Sequence, residues 1–128
     1  MSLRSPLGRV LGLGAAKEGA GHWWAQRVSS VALIFLTLWF LFALAALGDF
    51  SYPAVVTWMG SPLNAVLLTL LIITTVYHTQ LGLQVVVEDY VAGPGPKILT
   101  MLAINFILVL LAGLGVFSVL RVAFGAVA

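Results

Sequence analysis

The residues able to do chemistry in this chain are few, and most of them fall in one stretch, YHTQLGLQVVVEDY at positions 77–90. His78 lies inside an apolar segment that ends on Glu88, Asp89 and Tyr90. On one continuous helix His78 and Asp89, at about 100° per residue, come within roughly 20° of the same face. Thr74, Thr75 and Gly82 fall close to that stripe, so the imidazole sits beside a residue with no side chain, where a large flat group has room to approach. A neutral imidazole suits iron, zinc or copper. The plain alternative is a histidine hydrogen-bonded to a carbonyl or hydroxyl of a neighbouring helix, and the residues alone leave both open.

Composition decides what positions this stretch. With 62% hydrophobic and 8% charged residues and a mean hydropathy of +1.13, the chain lies far outside the range of soluble domains. It reads as an all-α integral membrane protein with three transmembrane helices. The absence of cysteine excludes disulfides, thiolate metal sites, covalent haem attachment and iron–sulfur clusters held by this chain. The pI near 9.4 is an orientation signal rather than the mark of a nucleic-acid surface.

Residues 1–21 carry Arg4, Arg9 and Lys17 among glycines and contain no apolar run that could serve as a signal peptide. They are expected to form a flexible cytoplasmic arm, and 22–128 a three-helix membrane anchor domain. Gly12 and Gly14 suggest a dinucleotide loop only superficially, because Lys17 stands at the third position and no strand precedes them. HWWAQR at 22–27 reads as an interfacial girdle. The first helix is placed at about 28–48, and the loop from Asp49 to Ser61 sets Trp58 and Met59 at the headgroups. Ser61 and Pro62 form a start signal, a capping hydroxyl followed by proline at the first turn, for a second helix at about 62–87. Gly93-Pro94-Gly95-Pro96 reads as a tight turn, and the third helix as about 98–120. Arg4, Arg9, Lys17, Arg27 and Lys97 gather on one side and Arg121 on the other. The positive-inside rule thus puts the N-terminus and the Asp89 loop in the cytoplasm and the C-terminus in the periplasm.

An ionisable group at membrane depth is a functional candidate by default, which applies to His78. His22 is excluded as its partner on a metal by an expected depth difference of roughly 20 Å, against the about 4 Å that two metal–nitrogen bonds span. Arg27 could pair with an anionic group such as a haem propionate or simply snorkel to lipid phosphate. Tyr90 with Asp89 could serve a quinone carbonyl and a proton relay, or merely mark a helix end. Ser29 and Ser30, one turn inside the membrane from Arg27, could hydrogen-bond backbone, a partner helix or a ligand, with backbone bonding expected, and packing is expected of Gly113 and Gly115.

Taken together, an HWWAQR element before the first of three helices, then His-x₃-Gly-x₆-Asp-Tyr at His78, Gly82, Asp89 and Tyr90, resembles the hydrophobic membrane anchor (D) subunits of bacterial succinate dehydrogenase, complex II, especially the alphaproteobacterial type. The resemblance covers about residues 20–121. It implies that His78 is an axial ligand of haem b, that Arg27 approaches the haem propionates, and that Tyr90 hydrogen-bonds ubiquinone beside Asp89. It carries over no role for His22. It further implies a second anchor (cytochrome b) subunit, an iron–sulfur subunit and a flavoprotein that holds the succinate site, assembled at the bacterial inner membrane for the tricarboxylic acid cycle and aerobic respiration. A rival of another class is a small transporter or assembly protein using His78 and Asp89 as a proton path; a fumarate reductase anchor differs only in quinone and direction.

Overall fold

A computed structural model describes residues 16–125. Four helices make it up, α1 (Ala16–Leu47), α2 (Tyr52–Gly60), α3 (Pro62–Tyr90) and α4 (Pro94–Ala123). Three of these, α1, α3 and α4, are long and apolar enough to cross a membrane, and there is no strand among the described residues. The all-helical, three-span reading therefore holds, with boundaries that differ from the expectation for identifiable reasons.

Helix α1 starts twelve residues before the expected Val28, because the stretch from Ala16 onward contains no proline and the girdle HWWAQR continues the helix instead of preceding it. At 1.5 Å per residue its 32 residues extend about 48 Å, more than the roughly 30 Å hydrocarbon layer. Residues 16–21 of the expected arm are thus helical, and positions 1–15 lie outside the described residues. The loop after α1 contains a helix of its own, α2. Gly48, at φ 68°, reverses the chain, and Asp49 accepts hydrogen bonds from the Ser51 hydroxyl (2.7 Å) and the Ser51 N–H (2.8 Å). Those bonds hold the Asp49 carboxyl below its ordinary range. A depressed carboxylate stabilises this turn above the unfolded pKa of about 3.9, and the contribution disappears as pH falls through the lower folded value.

The start of α3 also differs from expectation. Ser61 makes no side-chain cap; the Asn64 side chain instead donates to the Trp58 carbonyl at 2.8 Å, closing the α2–α3 corner. Its other end runs to Tyr90, where the Lys97 ammonium donates to the Glu88 carbonyl at 2.5 Å, a cation placed on the negative end of the helix dipole. Prolines 94 and 96 open α4 rather than delaying it, since the first-turn N–H groups they lack would have no helical partner. Gly93, at φ 84°, makes the turn that precedes them.

Helix α3 is the middle of a row. It packs against α1 on one side and α4 on the other, while α1 and α4 make no contact with each other. The core of Ala65, Leu68 and Val119 lies toward the Pro62 end, enclosed by Trp39, Phe40, Trp58, Met59, Ile72 and Ala123. Trp58 is stacked on Trp39 at 6.2 Å with 16° between the planes, so it packs against α1 and is more than a headgroup anchor. Of the two glycines expected to pack, Gly113 has nothing within 4 Å of a built Cβ, whereas at Gly115 a Cβ would stand 3.3 Å from two carbons of Ile72. Gly115→Leu is therefore expected to push α3 and α4 apart and to cost about 1–3 kcal/mol of overpacking, read as a lower thermal unfolding midpoint in detergent. Gly113→Leu serves as the control, with no comparable loss.

Candidate functional site

His78 projects from α3 into its contact with α1 and is half-buried there. Its Nδ1 is 2.9 Å from the Ser29 hydroxyl, and its Nε2 is 3.4 Å from the Gln26 side-chain nitrogen. Ser29 is buried, with 5% of its surface exposed. Both Ser29 (3.1 Å) and Ser30 (2.7 Å) donate to the Gln26 carbonyl, as expected of hydroxyls one turn along a helix. The hydroxyl partner for His78 that the residues left open is thus present, but it engages only Nδ1. Nε2 has no more than the long contact to Gln26, and the Gln26 Oε1 is buried without a partner.

Beside this pair a groove of about 590 Å³ opens between α1 and α3 toward the Tyr90 end, lined by Gly19, His22, Gln26, Gly82 and Glu88 among others. The groove leaves space at Gly82, where a Cβ would meet only the Gln26 amide, at 3.8 Å. The Nε2 of His22 is buried in this region with no hydrogen-bond partner. The contact between Gln26 and His78 corrects the depth assigned to His22. His22 lies four residues before Gln26 and seven before Ser29, the two residues that meet His78, so the two histidines differ by roughly 6–10 Å along the helix axes rather than roughly 20 Å. That still exceeds the about 4 Å that two metal–nitrogen bonds span. Among the described residues no cluster of three or more His, Asp or Glu side chains gathers.

The remaining candidates lie apart from the His78 pair. Arg27 is exposed and places its guanidinium over the Trp23 ring, 5.5 Å from the centroid, a contact worth about 0.5–1 kcal/mol at an exposed position. Asp89 and Tyr90 close α3 and are both exposed, Tyr90 at 85%. Glu88 beside them is tied back by the Gln84 amide at 2.8 Å. The structure thus groups His78 with Ser29 and Gln26, and puts Asp89 and Tyr90 about three turns further on, at the end of the same helix. Gln26 and Lys97 were not singled out from sequence. The signal for Gln26 was its place one turn before two serines, and for Lys97 the single cation just past a helix C-terminus.

Comparison with known proteins matches residues 1–112 to the family described as succinate dehydrogenase/fumarate reductase transmembrane subunit. The chain belongs to that family. It is similar to the succinate dehydrogenase hydrophobic membrane anchor subunit of Rickettsia bellii, 33% identical over 70% of this chain and 71% of the relative. It is similar also to the subunit of that name from Paracoccus denitrificans, 31% identical over 91% of this chain and 89% of the relative. The succinate dehydrogenase membrane anchor subunit of Reclinomonas americana is 30% identical over 71% of this chain and 78% of its own length. Membership of this transmembrane-subunit family, with three apolar spans, is that of a multi-pass protein of the bacterial inner membrane. It decides for the anchor reading over the proton-path transporter.

Proposed function

We propose that this chain is the D-type membrane anchor of a succinate:quinone oxidoreductase, that it binds haem b jointly with a second anchor subunit through Nε2 of His78, and that it contributes Tyr90 and Asp89 to a ubiquinone site. An iron–sulfur subunit and a flavoprotein complete the assembly, and succinate is oxidised on the flavoprotein. The N-terminus and the Tyr90 end face the cytoplasm, where the basic residues gather. The names of the relatives support the assignment to succinate oxidation.

The observation that carries the reading is the uneven partnering of His78. One ring nitrogen is held at 2.9 Å by a buried hydroxyl, while the other has only a 3.4 Å contact to a half-buried amide. This is the donor set of a metal-ligating histidine, one nitrogen anchored and one available. The chemistry fits haem b: a single imidazole with a glycine one turn away, an open groove beside them and, among the described residues, no cluster of three or more His, Asp or Glu side chains. Gln26 must turn its amide aside, which its unpartnered Oε1 makes inexpensive. When bound, the haem would supply a one-electron centre within the membrane anchor.

The chain's own residues have distinct tasks. His78 orients and ligates; Arg27, once its guanidinium leaves the Trp23 face, offers a forked donor to an anionic propionate. Tyr90 donates its phenolic hydrogen to a quinone carbonyl, and Asp89 passes protons from water at the surface. The test is co-purification: a tagged chain expressed with its partners should bring down flavin and iron–sulfur subunits and show a dithionite-reduced b-type spectrum. A complex that assembles without that spectrum overturns the haem assignment and leaves the family membership intact.

A further inference from the structure

The hydroxyl that meets His78 has only one proton to give, and where that proton goes sets the state of the imidazole. Ser29 donates to the Gln26 carbonyl at 3.1 Å, so at 2.9 Å from Nδ1 its oxygen is free only to accept. The acceptor role requires hydrogen on Nδ1 and leaves the lone pair on Nε2. On the other side of the ring the Gln26 Nε2, an amide donor, faces that lone pair at 3.4 Å. Every contact in the cluster is satisfied by this one distribution of protons. The opposite tautomer needs the Ser29 hydroxyl turned from the Gln26 carbonyl to donate to Nδ1, and the Gln26 amide turned over.

We infer that Ser29 is a positioning residue for His78: it fixes the Nδ1–H tautomer, sets the ring's orientation on α3 and raises the basicity of Nε2 toward the iron. This rests on the proposed haem ligation by His78. The physical reason is that hydrogen bonding from the distal N–H of a ligating imidazole pushes electron density toward the metal, and that loss of such a partner typically weakens metal binding about 10–100-fold. Burial strengthens the effect. Ser29 is 5% exposed, so no water replaces the hydroxyl when it is removed, and a buried ring N–H is left without an acceptor. Ser30 does not substitute for it, because its hydroxyl is committed to the Gln26 carbonyl at 2.7 Å, and the hydrogen-bond contacts of the His78 ring are to Ser29 and Gln26.

The test uses the assembled complex with wild-type, Ser29→Ala and Ser29→Thr chains, reading haem content per flavin and the midpoint potential of the b-type band. A less basic ligand stabilises ferric iron less. Ser29→Ala is therefore expected to raise the potential and to release haem about 10–100-fold more readily, with Ser29→Thr returning both toward wild type. Unchanged potential and retention in Ser29→Ala, or equal shifts in Ala and Thr, would reduce Ser29 to a packing residue and overturn the proposal. If Ser29→Ala fails to assemble, imidazole ¹⁵N shifts of the full-length wild-type chain decide: a protonated Nδ1 with bare Nε2 at His78 supports the assignment, and the reverse tautomer sinks it. A wild-type complex lacking b-type haem removes the ligation reading itself, an outcome distinct from a haem-loaded complex indifferent to Ser29.

Discussion

His78→Leu is expected to abolish the low-spin b-type spectrum of the complex while all three spans still insert. Insertion follows apolar length, and the change makes α3 more apolar. The substitution also leaves little behind it: Ser29 keeps its bond to the Gln26 carbonyl, so no hydroxyl is orphaned, and leucine occupies a similar volume at the α1–α3 contact. A five-coordinate haem held by the partner subunit alone would give an altered, high-spin spectrum at reduced content. Full retention of the low-spin form would remove His78 as the ligand. The difference from Ser29→Ala is diagnostic, since one change deletes the ligand and the other only detunes it.

Tyr90→Phe is expected to lower quinone reduction by several-fold to some tens-fold while succinate oxidation by an artificial soluble acceptor continues at the wild-type rate. A hydrogen bond to a neutral carbonyl contributes about 0.5–1.5 kcal/mol, and more when negative charge develops on the oxygen during reduction. Folding has little stake in the phenol, because Tyr90 is 85% exposed at the last position of α3. Equal losses in both assays would point to assembly instead. An unchanged quinone rate would put the quinone elsewhere.

How much of this was legible in the sequence depended on whether the deciding physics was local. Span number and order followed from apolar length, and α3 could be read as one helix because nothing between Pro62 and Tyr90 interrupts it. The prolines at 94 and 96 misled on the start of α4, because the same residue that stops a helix from behind opens one from the front. HWWAQR misled in another way: girdle composition says where the bilayer ends, not where the helix does. Placing His22 outside the span then produced the overestimated depth. His78, Asp89 and Tyr90 could be picked out as polar groups ending or interrupting an apolar segment. Gln26 could not, and Ser29 could be picked out only as a hydroxyl without a defined partner, since their partnership with His78 depends on the antiparallel register of α1 and α3, which no short-range pattern encodes.

The arrangement of the spans, with α3 packed against both α1 and α4 and the short α2 touching all three, has a consequence for biogenesis. During synthesis α1 enters the bilayer first, and it has no spanning partner until α3, the least apolar of the three spans, follows it. Until then Ser29 and Gln26 expose hydrogen-bonding groups to lipid, and when α3 arrives it brings the only histidine positioned to cover them. Helix α4 then docks on α3, with the short α2 packed against both. A chain in which α3 is mispositioned would therefore keep α1 and α4 linked only through the short α2, and membrane quality control would meet two spans stripped of their common packing partner.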